Sequence, residues 1–119
     1  MDRQVSWIFE LAVNEGELGN LKDLMKEMVA FAEANEPGTL AYEWFISGDG
    51  KQCHTHERYR DSAATVAHLT SFKANHAARL MSMGAATRFV VYGNPDSSVR
   101  EALEGFGAAY LSPLHGFVR

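Results

Sequence analysis

The groups in this chain that could do chemistry are five histidines, one cysteine and a few well-placed carboxylates and phenols. His54 and His56 form a His-x-His pair, the spacing at which two imidazoles leave one face of a strand and could begin a metal site. Nothing nearby is spaced to complete a ligand set, and Glu57 points the opposite way. The pair therefore reads as a solvated edge or a pocket lining, and no metal is expected. Cys53 has no neighbour that would make it a thiolate nucleophile. His68 and His76 fall on one helical stretch, on neighbouring faces if the helix is continuous. An imidazole titrates near neutral pH without perturbation, which suits a general base. His68 is the first choice for that role and His76 the second. Glu57 would orient the imidazole or accept a substrate hydroxyl, while Tyr42, Trp44 and Tyr59 would shape a largely apolar cavity, the common form of a small-molecule site. There is no glycine-rich phosphate loop or dinucleotide fingerprint, so no nicotinamide, flavin or nucleotide cofactor is expected.

The elements that must position these groups follow from periodicity. Val5 to Val13 alternates as a strand, and Leu18, Leu21, Met25, Met28 and Ala32 recur at helical spacing between Glu17 and Asn35. Pro37 to Ser62 reads as a β-hairpin, two runs of aromatic and β-branched residues around Gly48-Asp49-Gly50-Lys51. Its first strand places Leu40, Tyr42, Trp44 and Ile46 on one face. Its second places Cys53, Thr55, Glu57 and Tyr59 on one face and His54, His56 and Arg58 on the other. So polar a strand is either an edge facing water or a pocket wall. Asp61 or Ser62 caps a second helix that carries Ala63, Val66 and Leu69 inward, falters near Thr70-Ser71-Phe72 and stops at Gly84. Ala86 to Tyr92 is a strand, about Ser97 to Glu104 a short helix, and Ala109 to Ser112 a tail strand that Pro113 confines to an edge or sends across to another subunit.

This order predicts an α+β chain, a ferredoxin-like antiparallel sheet with helices on one face. Trp7, Phe9, Trp44, Phe45, Phe89 and Tyr92 cannot all lie on the helix-covered side of so small a sheet, so a symmetric copy is expected to cover the other face. The chain is one domain of 119 residues with net charge −4 and no basic stripe. That balance disfavours nucleic acid and anionic membrane surfaces as partners. With a single cysteine and neither an apolar leader nor a membrane-length apolar run, a soluble, cytoplasmic protein is expected.

The wording along the chain carries a resemblance. Glu36-Pro37-Gly38-Thr39-Leu40 with Tyr42-Glu43-Trp44, then Glu57-Arg58-Tyr59-Arg60-Asp61-Ser62, and later Tyr92-Gly93 and Gly116-Phe117-Val118-Arg119, resemble the antibiotic biosynthesis monooxygenase domain family. The resemblance implies a homodimer, a dimeric α/β barrel with one pocket per subunit between sheet and helices. It further implies a cofactor-independent monooxygenase acting with O2 on a quinol or polyketide-like hydroxylated aromatic. A non-catalytic small-molecule-binding or structural dimer of the same fold is the alternative. Haem degradation is a weaker one: Phe72-Lys73-Ala74-Asn75-His76 is similar to the segment through which relatives of this fold bind haem. Those enzymes also use an Asn and a Trp where this chain has Phe9 and Val66.

Overall fold

The computed structural model describes residues 3–119; Met1 and Asp2, which begin the run read above as lacking an apolar leader, lie outside the described residues. The chain runs β1 (Val5–Val13), α1 (Leu18–Asn35), β2 (Thr39–Ile46), β3 (Gln52–Tyr59), α2 (Ser62–Asn75), α3 (Ala77–Met83), β4 (Gly84–Tyr92), α4 (Ser97–Ala102) and β5 (Ala109–Leu111). The strands make one open sheet in the order β2-β3-β1-β4-β5, the ferredoxin-like α+β arrangement. It is mixed rather than wholly antiparallel, because β5 lies parallel to β4. Its chain returns through α4 instead of a tight turn, so it re-enters the sheet in the same direction as β4. β5 occupies an edge, the position compatible with Pro113 two residues beyond it. No helix among the described residues is long and apolar enough to cross a membrane.

Alternation in β1 decides where the core lies. Val5, Trp7, Phe9 and Leu11 are buried beneath the helices, and removing their apolar surface from water is the main stabilising term. α1 contributes Leu21, Leu24, Met28 and Ala32 to the same layer, with Met25 at its margin. β3 is the second strand of the sheet, not an edge, so its polar face is a wall: Cys53, Thr55, Glu57 and Tyr59 are all buried.

Two sequence expectations need correction. The buried face of α2 comprises Ala64, Thr65, His68 and Leu69, whereas Ala63 is exposed and Val66 only half-buried; apolar periodicity misplaced the face because two of its members are polar. The helix does not falter at Thr70-Ser71-Phe72: α2 runs unbroken to Asn75, and the Thr70 hydroxyl is accommodated by donating back to the Val66 carbonyl at 2.9 Å. The break falls at His76, between α2 and α3. The six large aromatics do divide between the two faces, as expected: Trp7, Phe9, Trp44 and Phe89 line one cavity on the helix side. Phe45 and Tyr92 are exposed, at 49% and 36%.

Candidate functional site

Strand register sets out the floor of the site. Across the helix-facing side, Glu57 of β3 is paired with Trp7 of β1 on one flank and Tyr42 of β2 on the other, and Thr55 with Phe9 and Trp44. A carboxylate is thus set among large rings, where burial is costly unless it is fully bonded. Glu57 meets that requirement: its Oε2 accepts from the Thr55 hydroxyl at 2.6 Å, and its Oε1 from the Tyr59 hydroxyl at 2.5 Å. Tyr59 in turn packs against Trp7 with ring centroids 4.9 Å apart.

The roof comes from α2, whose capping residue Asp61 accepts from the Ala64 N–H at 2.8 Å and so fixes where the helix begins. His68 lies one turn beyond Ala64 and points down at the sheet, with 7% of its side chain exposed. Its Nε2 is 3.3 Å from Glu57 Oε1. Its Nδ1 is 2.8 Å from Glu36 Oε1, a residue the sequence reading quoted but gave no role. Glu36 stands at the C-cap of α1, where the helix dipole disfavours a carboxylate. Gly38 brings this segment in: a Cβ there would lie 2.5 Å from Ala64 Cβ, so only glycine lets the chain pass so near α2. Thr39 holds the carboxylate with a 2.8 Å bond to the same Oε1.

This geometry dictates protonation. A neutral imidazole has one N–H, so with a carboxylate oxygen beside each nitrogen one lone pair would face negative charge; the doubly protonated ring faces both correctly. Burial by itself lowers the His68 pKa, but the bonds to Glu36 and Glu57 and the charges of both raise it to about 9. For Glu57 burial pushes the carboxyl up, and His68, Thr55 and Tyr59 outweigh it and hold the pKa below its ordinary value. The same contest, won by His68 and Thr39, holds Glu36 low. The expected unperturbed imidazole is therefore not what the fold builds. Tyr42 and Tyr59 are pushed well up by burial and by the nearby Glu57 charge, and stay protonated as donors.

Around this cluster the cavity is lined mostly by apolar side chains, Trp7, Phe9, Phe72, Leu80, Phe89 and Phe106 among them, with Glu57, His68, Thr55 and Tyr42 as its polar points. The space a water-sized sphere can occupy is about 40 Å³, while the empty volume counted out to the mouth is about 460 Å³. Trp44 also lines it, and its buried Nε1 has no hydrogen-bond partner of proper geometry among the described residues; its pull on the Tyr42 hydroxyl is outweighed by burial and by the charges of Glu57 and Glu36.

The other candidates lie elsewhere. His76 is buried at the α2–α3 break, its Nε2 3.1 Å from Glu27 and its ring 5.7 Å from Phe31. It does not line the cavity. His54 and His56 face away from the helices, the first 3.6 Å from Glu10 and the second beside Phe45. Glu43 shares that outer face, where Ser6, His56, Arg58 and Tyr92 line a hollow of about 480 Å³ beside Pro113 and Val118 of the C-terminal segment. Cys53 is buried, which pushes its thiol up to about 11. What sequence reasoning missed was chiefly Glu36, and a signal existed: an acid at the end of a long helix needs a cation nearby.

Solved structures share this fold. MupZ from Pseudomonas fluorescens superposes with a TM-score of 0.88 over 100% of this chain and 91% of its own, at 21% identity. Rv0793 from Mycobacterium tuberculosis is similar at a TM-score of 0.67 and 23% identity, over 79% of this chain and 97% of that one. SnoaB from Streptomyces nogalater, a cofactor-independent oxygenase, is similar at 0.66 and 15%, over 80% and 96%. No curated protein matches the chain. The model of the family described as antibiotic biosynthesis monooxygenase matches residues 5–92, the stretch from β1 to β4 that holds every member of the buried cluster, and the chain belongs to that family.

Proposed function

We propose that this protein is a cofactor-independent monooxygenase that oxidises a quinol or similar hydroxylated aromatic with O2. The observation that carries the reading is His68 held between Glu36 and Glu57 at the wall of an aromatic-lined cavity. Dioxygen reacts slowly with a neutral phenol and takes an electron readily from a phenolate, so the site has to remove a proton and exclude water. The electrons balance without a reductant: a quinol plus O2 gives a hydroxyquinone plus water.

His68 is the base in this reading, acting in its neutral form. The Nδ1 bond to Glu36 is the short one, which leaves Nε2 as the nitrogen that meets the substrate hydroxyl. A base with a pKa of about 9 is closely matched to a phenol near 10, so proton transfer between them is almost level. The cost is that only about one molecule in a hundred holds the neutral imidazole at pH 7. Glu36 and Glu57 then steady the imidazolium that forms. Tyr42 and the Trp44 N–H donate to the substrate oxygens, and Tyr59 keeps Glu57 in place. We also propose that two copies pair through the outer sheet face, which presents Phe45 and Tyr92; Leu111, at the β5 edge, is 53% exposed.

Oxygen uptake with 1,4-dihydroxynaphthalene tests the chemistry. His68→Ala and the near-isosteric Glu57→Gln should each lower turnover by about a hundredfold or more, while His76→Ala retains it. Parent turnover should rise with pH up to about 9. Parent-like rates in both the His68 and the Glu57 variants would refute the assignment, and a parent protein inert to every quinol would favour a non-catalytic binder.

A further inference from the structure

The cavity as it stands is closed to the ligands its lining suits. Its interior space of about 40 Å³ holds two or three water molecules, whereas a bound ring system occupies a site of roughly 300 Å³ or more. One wall therefore has to give way. The floor is the hydrogen-bonded sheet, and His68 and Leu69 of the roof are buried on a capped helix. The turn after α4 is built differently. Leu103 is buried at one end and β5 is paired to β4 at the other, so both ends are anchored. Between them Gly105 and Gly107 hold φ angles of +86° and +70°, and a Cβ at either would meet nothing within 4 Å. The glycines on both sides of Phe106 are thus exposed and have wide conformational freedom, with the Phe106 N–H bonded back to the Leu103 carbonyl at 3.1 Å, while the Phe106 ring reaches into the cavity. The Lys73 ammonium lies 5.5 Å from that ring centroid, and the same group donates to the Ala102 carbonyl.

We propose that Phe106 is the door of the cavity and sets the size of ring system it admits, with Lys73 as its latch. Rotation about the two glycines swings the ring out while Leu103 and β5 stay in place. Closed, the ring keeps bulk water from the acid–base groups; open, it clears a slot for flat, fused-ring aromatics. The inference rests on the cavity being the ligand site described above.

Both tryptophans of the chain, Trp7 and Trp44, line the cavity, so quenching of their fluorescence reports arrival of a quinone. Stopped-flow association of 2-hydroxy-1,4-naphthoquinone and of the larger anthraquinone-2-sulfonate should be measured on the parent, Phe106→Ala, Phe106→Trp and Lys73→Met, each checked for an intact melting transition. Phe106→Ala should raise the association rate constant about tenfold for the two-ring probe and give measurable binding of the three-ring one. Lys73→Met should move the rate in the same direction by less, and Phe106→Trp should slow it. Equal rate constants in all four proteins, or no quenching in both the parent and Phe106→Ala, overturn the proposal. Faster association without oxygen uptake from any quinol upholds the door and sinks the monooxygenase reading; oxygen uptake with rates indifferent to position 106 does the reverse.

Discussion

Replacing Glu36 by Gln keeps the shape of the side chain and removes one of the two anions that hold His68 charged. Raising an imidazole pKa from 6.5 to about 9 makes the bound, protonated ring contribute roughly 3 kcal/mol to stability. Because the folded value lies above the unfolded one, that contribution is complete below about pH 6.5 and is lost as pH rises through about 9. The two carboxylates run the other way: their pKa values are lowered, so their contribution is present above the ordinary carboxylate range and is lost as pH falls through the folded values. The cluster is therefore most stabilising between the two ranges, around neutrality. With one of two anionic partners gone, about half of the imidazolium contribution should go, close to 1.5 kcal/mol at pH 7 or a drop in Tm of about 5 °C. Urea unfolding of parent and Glu36→Gln from pH 5 to 10, with NMR titration of the His68 ring, measures both sides. The curves should converge as pH rises past the parent's His68 midpoint, and that midpoint should fall by about one pH unit in the variant. Stability profiles that overlay across the whole range would show that Glu36 does not hold the proton on His68.

Trp44→Phe keeps most of the ring and deletes the unpartnered donor, so stability should be unchanged or up to about 1 kcal/mol higher, in contrast to a loss of about 3 kcal/mol or more for Trp44→Ala. A clear loss in the Phe variant by thermal unfolding would mean that Nε1 has a partner. Light scattering should give twice the chain mass of 13.2 kDa, and Phe45→Lys on the outer face should shift the mass toward one chain by placing a charge in an apolar interface. A monomeric parent would remove the pairing from the proposal.

The site was legible in part, and for a physical reason. His68, Glu57, Tyr42, Trp44 and Tyr59 were named from residue type and alternation; the fold brings the first four to one cavity, while Tyr59 does not line it and sits fully buried behind Glu57, bonded to its carboxylate. Alternation is a local rule, so it put Glu57 and Tyr59 on one face and Tyr42 opposite Glu43 without any knowledge of the sheet. His76 was named by the same reasoning and lies apart, because the helix breaks at that residue and turns its ring toward Glu27. Periodicity also misjudged the inward face of α2, since a buried His and Thr look like surface residues until partners for them are known.

The sequence alone determined the order of elements, the hairpin and the family likeness, and limited β5 to an edge or a partner subunit, all of which depend on period, turn residues and short motifs. Only the tertiary structure decided that Glu36 meets His68, that the imidazole is held charged, and that Phe106 lines the cavity. Glu36 and His68 are 32 residues apart, and the pKa of each is set by the charge and burial that the other elements supply. Protonation is a property of that three-dimensional neighbourhood, and no local pattern in the chain encodes it.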